Sequence, residues 1–249
     1  MEELKKAVWN WRMAVAVLTA FLVLVHPLAL DNVWSYMKTG DVLYWITFPM
    51  ATSGFTPFAC VFPILPYGMR FVEEYNTGYI KAAISRSGKR SYIRRKIAGT
   101  AVSGGCMMAA AFFLIFFVCL VGGSVPTPES LSEFYEITVW RPYVFIWGGK
   151  LVLLMKLALA FLHGAVWALS ALFVSGIYAN RYAVLILPFV VYQTLWHMLQ
   201  NTPVNPVYLL RADWGGYQVW YQPFLIQLAI VVLLALLCAL SLRRKVYEL

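Results

Sequence analysis

The chain has 249 residues, of which 61% are hydrophobic and only 12% charged, and its mean hydropathy is +0.70. Soluble globular proteins hold roughly 45–50% apolar residues, so this composition excludes an ordinary soluble domain and predicts an integral membrane protein. The formal charge of +9 follows from the topology worked out below and is not read as a nucleic-acid surface.

Crossing a hydrocarbon core takes about 20 helical residues. The sequence offers six such apolar blocks, Met13–Leu30, Val42–Leu65, Ile97–Gly122, Lys156–Ile177, Tyr182–Leu199 and Pro223–Leu242. They are continuously apolar rather than alternating, which predicts helices and not the strands of a membrane barrel. The expected fold is therefore all-α, a polytopic membrane protein with six transmembrane helices in one domain over residues 1–249.

Residues 1–12 place Leu4, Val8 and Trp11 on one face, which suits a short helix in the membrane interface or a charged flank of the first span. Lys5 and Lys6 before an apolar run also suit a secretory signal. The exit His26-Pro27-Leu28-Ala29-Leu30 lacks a small-x-small cleavage pattern, so a retained helix is expected. The second block holds Pro49, Pro57 and Pro63, with Pro66 just beyond. Each internal proline removes a backbone donor and clashes with the preceding turn, so this span is expected to be kinked or partly unwound. Thr52, Ser53 and Thr56 are on hand to bond the freed carbonyls. Broken helices mark transport pathways in some carriers, but proline is also common in membrane helices generally.

Between Arg70 and Lys96 stand eight of the twenty Lys and Arg residues, preceded by Glu73 and Glu74. Over Phe71–Ile84 the residues Phe71, Val72, Tyr75, Tyr79, Ile80 and Ala83 share one side, opposite Glu73, Thr77 and Lys81. That pattern predicts an amphipathic helix at the membrane surface, followed by a basic turn from Arg86 to Lys96. Ser87-Gly88-Lys89-Arg90-Ser91 superficially suggests a phosphate loop. Ala83 at the first glycine position and Arg90 after the lysine rule that motif out.

In the third block, Gly99, Ser103, Gly104 and Gly105 leave room for a close helix neighbour. Residues 123–143 read as a loop ending in an interfacial helix through Tyr143 and Trp147. Lys156 is expected near a membrane boundary with its ammonium reaching water, and His163, seven residues on, shares its helix face. The two are candidates to line a substrate pathway together with Pro49 and Pro57. His26 and His197 read as interfacial residues. Residues 200–221 form a loop that either dips back into the membrane or runs plainly over it. Cys60, Cys106, Cys119 and Cys238 all lie in apolar blocks without metal-ligand spacing, which points to structural roles.

Cytoplasmic loops carry the excess of Lys and Arg. With both termini cytoplasmic, fifteen of these residues fall inside and only Lys38, Arg141 and Arg211 in outer loops, leaving Lys150 and Lys156 near a boundary.

Six helices with short loops, together with Phe71, Glu74, Gly78, Ser91, Tyr92 and Lys96 in the second connection, resemble the permease subunits of ABC-2 type transporters. The resemblance implies a bacterial inner-membrane exporter built from two permease chains and two ATPase chains. It also implies that residues 67–96 are a coupling loop docking into the ATPase through Phe71, Glu73, Glu74, Tyr75, Thr77, Gly78 and Tyr79, with residues 1–12 a connecting helix. Glu73 and Glu74 would then meet basic residues of the ATPase. ATP and Mg would sit on that partner, with no cofactor, metal or nucleic acid on this chain, and membrane lipid would surround it. The alternative is a secondary carrier or channel without an ATPase. Against it, the spans lack the acidic residues that ion-coupled carriers use. An enzyme is disfavoured because no H-E-x-x-H, G-x-S-x-G or paired intramembrane aspartates occur. A loop that only sets topology and binds anionic lipid is the further alternative for the basic stretch.

Overall fold

The computed structural model describes residues 6–30, 50, 53–122, 141–212 and 216–248. Its elements are α1 (Trp11–Leu30), α2 (Phe55–Phe58), a 3-10 turn (Phe62–Ile64), α3 (Arg70–Asn76), α4 (Tyr79–Ser87), α5 (Lys89–Gly122), α6 (Arg141–Trp147), α7 (Gly149–Ile177), α8 (Arg181–Met198), α9 (Pro206–Arg211) and α10 (Gln222–Tyr247). No strand occurs among the described residues. Among the described residues three helices are long and apolar enough to cross a membrane: Lys89–Val118 within α5, α7 and α10, with mean hydropathies of 2.2, 2.0 and 2.9. Helix α1 is apolar over the shorter stretch Trp11–Pro27, and α8 carries Pro188 inside it and His197 in its last turn.

Helix α7 is the axis of the bundle. In its most apolar window 61% of residues are buried, against 17% for α10, which leaves Leu225, Val232, Leu236 and Leu240 facing outward. The closest packing joins α5 to α7. A Cβ placed on Gly164 would fall on the carbonyl of Gly104, and one on Gly104 would fall on the carbonyl of Gly164, so the two backbones touch. Further along α7, Gly176 makes room for the side chain of Ser241 of α10. On the other side of α5, Ser103 Oγ donates to the Ala7 carbonyl at 2.8 Å, and Ala16, Ala20 and Leu24 of α1 are buried in the same apolar core as Met107, Met108 and Phe112.

The described part of the proline-rich second block, from residue 53 on, is broken as expected, into the single turn of α2 and the 3-10 turn. Thr56 Oγ1 bonds the Met50 carbonyl, whereas Ser53 Oγ instead accepts from the Phe55 N–H at 3.2 Å. Thr52, Pro49 and Cys119's side chain lie outside the described residues. Other carbonyls here are capped from a distance: the Tyr192 hydroxyl donates to Thr56 O and Gln193 Nε2 to Pro57 O, both at 2.7 Å. Two neighbouring side chains of α8 thus bond carbonyls of the broken segment, Thr56 O also accepting from the Ala59 N–H at 3.3 Å. Replacing Tyr192 by Phe keeps the ring and removes one net hydrogen bond. Thermal unfolding in detergent should show a loss of about 1 kcal/mol.

Three expectations need correction. The basic stretch is helical, because α5 begins at Lys89 and not at Ile97, carrying Arg90, Arg94, Arg95 and Lys96 on its first turns. Phe71–Ile84 is not one helix: the chain breaks between α3 and α4 at Gly78, whose φ of +72° is disfavoured for any residue with a side chain. Helix α7 begins at Gly149, so Lys156 is well inside it.

Candidate functional site

The basic segments converge on one end of the bundle. Arg12 at the start of α1 bonds Glu73 at 2.7 Å, and Lys245 near the end of α10 lies 5.1 Å from the Tyr75 ring centroid. Lys89 sits 4.9 Å from the ring of Tyr247. Asn76 Nδ2 donates to the Ala179 carbonyl beyond α7, at 3.3 Å. The α3–α4 unit is thereby tied to α1, α7 and α10.

Its anchor is a buried ionic cluster. Lys96 Nζ donates to Glu74 Oε1 at 2.7 Å and to the Tyr67 hydroxyl at 2.9 Å. The Tyr92 hydroxyl donates to Glu74 Oε2 at 2.7 Å, and Arg70 Nε to Glu74 Oε1 at 3.1 Å. Lys96 and Glu74 side chains are 2% and 5% exposed, so both charges are out of water and hold each other there. Lys96 also lies over the Tyr67 and Tyr92 rings, 4.7 and 5.6 Å from their centroids. Burial alone would lower the Arg70 pKa, but Glu74 and Glu73 outweigh it and raise it above its ordinary value. Around the cluster, Phe71 and Ile80 pack with Ile93, Leu169, Leu172, Leu242 and Val246.

This geometry sorts the coupling candidates. Phe71 and Glu74 point inward, with Phe71 at 0% exposure, and their partners belong to this chain. Glu74, expected to meet basic residues of an ATPase, is here bonded by Arg70, Tyr92 and Lys96 of its own chain. Glu73 is shared between Arg12 and Arg70, and Tyr75 is half-buried. Thr77, Gly78 and Tyr79 form the exposed turn. Tyr67 carries no sequence signal for this role, and Lys245 enters the sequence only as one of the basic residues that set the topology. The i,i+4 pairs Arg70/Glu74 and Tyr92/Lys96 are the signal that a closer reading would use, since such residues share a helix face.

The pathway candidates separate. Pro57 is half-buried in α2. Lys156 does not reach outward: it is 4% exposed, and its Nζ donates to the Arg211 carbonyl at 2.9 Å. Gln227 Nε2 likewise takes the Leu209 carbonyl at 2.7 Å, so side chains of α7 and α10 cap the last carbonyls of α9. At the other end of α9, Asn205 Oδ1 accepts from the Val207 N–H at 2.9 Å. His163, 2% exposed, is deeper in α7 beside Trp167 and Tyr192, at ring distances of 6.1 and 6.4 Å. It lines a cavity of about 170 Å³ between α7, α8, α9 and α10 that Lys156 does not line. Cys60 and Cys238 are buried thiols, and among the described residues no three His, Cys, Asp or Glu side chains gather to hold a metal.

No protein-family model, curated protein or solved structure matches the chain.

Proposed function

We propose that this chain is the membrane-spanning permease subunit of an ATP-driven exporter, coupled to a separate ATPase through the turn Thr77-Gly78-Tyr79. In this reading the basic end of the bundle, with both termini, faces the cytoplasm, and α1, the broken second block, α5, α7, α8 and α10 are six spans. The segment 200–221, with α9 folded against α7 and α10, is a re-entrant outer element. Two permease chains and two ATPase chains form the working unit, with ATP and Mg on the ATPase.

One observation carries the proposal. The loop between the second and third apolar segments is a helix–turn–helix braced onto four other parts of the chain, with a buried Glu74–Lys96 pair at its base and an exposed turn at its tip. A loop that only fixes topology needs positive charge and nothing more. A rigid lever is what lets nucleotide binding on one protein bias the conformations of another.

The test uses the exposed tip, since Glu74 holds the chain's own fold. Tagged wild-type protein, extracted from its native membrane in mild detergent, should retain an ATPase that carries the phosphate-loop motif and is identified by mass spectrometry. Thr77→Arg/Tyr79→Asp should lose it while keeping the wild-type melting temperature. Intact wild-type protein without any such ATPase overturns the proposal and favours a carrier or channel.

A further inference from the structure

The cavity beside His163 has a mostly apolar wall, formed by residues such as Val166, Leu195, Leu209 and Ile230. Three further wall residues are polar and almost wholly buried: His163 at 2%, Trp167 at 4% and Gln227 at 1% exposure. Each carries an atom with no hydrogen-bond partner among the described residues, namely His163 Nε2, Trp167 Nε1 and Gln227 Oε1. Buried polar groups are nearly always paired, because an unpaired one forfeits its hydration for nothing. Gln227 Nε2 is already committed to the Leu209 carbonyl, which fixes its other amide atom as an acceptor. The indole N–H can only donate.

We propose that this cavity binds a neutral, apolar molecule carrying a hydroxyl group, which accepts from Trp167 Nε1–H and donates to Gln227 Oε1. His163 in its Nε2–H tautomer donates to the second lone pair of the same hydroxyl. A hydroxyl is the simplest neutral group that both donates and accepts. Among the described residues no carboxylate, ammonium or guanidinium lines the cavity, so these residues offer a charged ligand no counter-charge, and burying one against them would carry a high cost. Cavities of about 150 Å³ hold a benzene-sized molecule, and the volume here suits a ring or short chain of that order. Val191 and Val204, 49% and 42% exposed, belong to the lining as well. An apolar rim on the flank of a membrane bundle admits solutes from the hydrocarbon phase. The proposal requires the chain to span a membrane and does not require an ATPase.

The test is photolabelling of the full chain in lipid nanodiscs with an alkanol bearing a diazirine, read by peptide mass spectrometry. Labelling should concentrate on α7, α8 and α9 around Trp167, Leu195 and Leu209. The unlabelled alkanol should compete, its methyl ether, which only accepts, should compete more weakly, and the alkane of equal length hardly at all. Trp167→Phe, which keeps the ring and loses the donor, should weaken cavity labelling roughly three- to tenfold, as expected for one hydrogen bond. Labels on the outward-facing Leu22 and Leu236 should stay unchanged. If Trp167→Phe does not fold, the competition series on the wild type decides alone. Labelling spread evenly over outward-facing residues, or equal competition by alkane and alkanol, overturns the proposal.

Discussion

Glu74→Leu should destabilise the protein by about 3–5 kcal/mol, the usual cost of stripping one partner from a buried ion pair. The reason is what it leaves behind. Lys96, 2% exposed, would lose its carboxylate partner while the Tyr67 hydroxyl and the two aromatic faces stay beside its charge. Lys96→Met should cost less, because Glu74 retains Arg70, which reaches water, and the Tyr92 hydroxyl. The double variant should be more stable than the sum of the two losses predicts, since neither buried charge then stands alone. Denaturation of all four proteins in the same detergent measures that coupling. Strict additivity would mean that the pair contributes nothing to the base of the loop. Proteolysis adds a local readout: Arg86 and Lys89, beside Gly88 at the junction of α4 and α5, should be cut faster in Glu74→Leu than in wild type.

The same cluster shows where sequence reading stops. Phe71, Glu74, Tyr92 and Lys96 stand out in the sequence only through the resemblance to a family's loop, which does not say that they touch. Which way they face is not visible either, because a stretch with both apolar and charged residues on its inner side has no clean amphipathic signature. Glu74 reads as a surface charge until Lys96, on a different helix, is placed against it. The split of Phe71–Ile84 into two helices was hidden for a similar reason, since a single Gly78 is tolerated within many helices and only its positive φ reveals the break. By contrast, long apolar runs announce α5, α7 and α10 directly. The unwinding of the second block followed from its prolines, while Tyr192 and Gln193, the residues that stabilise it, are 136 positions away from the carbonyls they bond. A count of residues along one helix gives Lys156 a depth but not the neighbour that buries it. Its partner is the carbonyl of a short helix that no hydropathy profile would find.

Gly164→Ala is expected to be the more disruptive of two single-methyl insertions between α5 and α7, and Gly105→Ala the milder. Both insert the same atom, and both would meet a neighbour far inside van der Waals contact. At Gly105 that neighbour is the ring of Phe161, with the nearest atoms at 2.6 to 2.8 Å, and a half-buried ring can turn aside. At Gly164 the neighbour is the main-chain carbonyl of Gly104, which cannot move unless α5 and α7 separate. Overpacking usually costs about 1–3 kcal/mol and sometimes more. Gly105→Ala should fall at the lower end, and Gly164→Ala at or beyond the upper end. Gly104→Ala should resemble Gly164→Ala, because its Cβ would fall on Ala168 and on the Gly164 carbonyl. The double alanine variant should lose less than the sum, since helices already forced apart by one methyl accommodate the second. Melting in detergent of the three single variants and the double one gives the comparison. Equal losses at Gly105 and Gly164 would show that the backbones do not touch as described. Because Gly164 follows His163 directly, the displacement that relieves the clash also moves one wall of the ligand cavity. Gly164→Ala should therefore weaken alkanol labelling even where the protein remains folded, whereas Gly105→Ala should leave it in place.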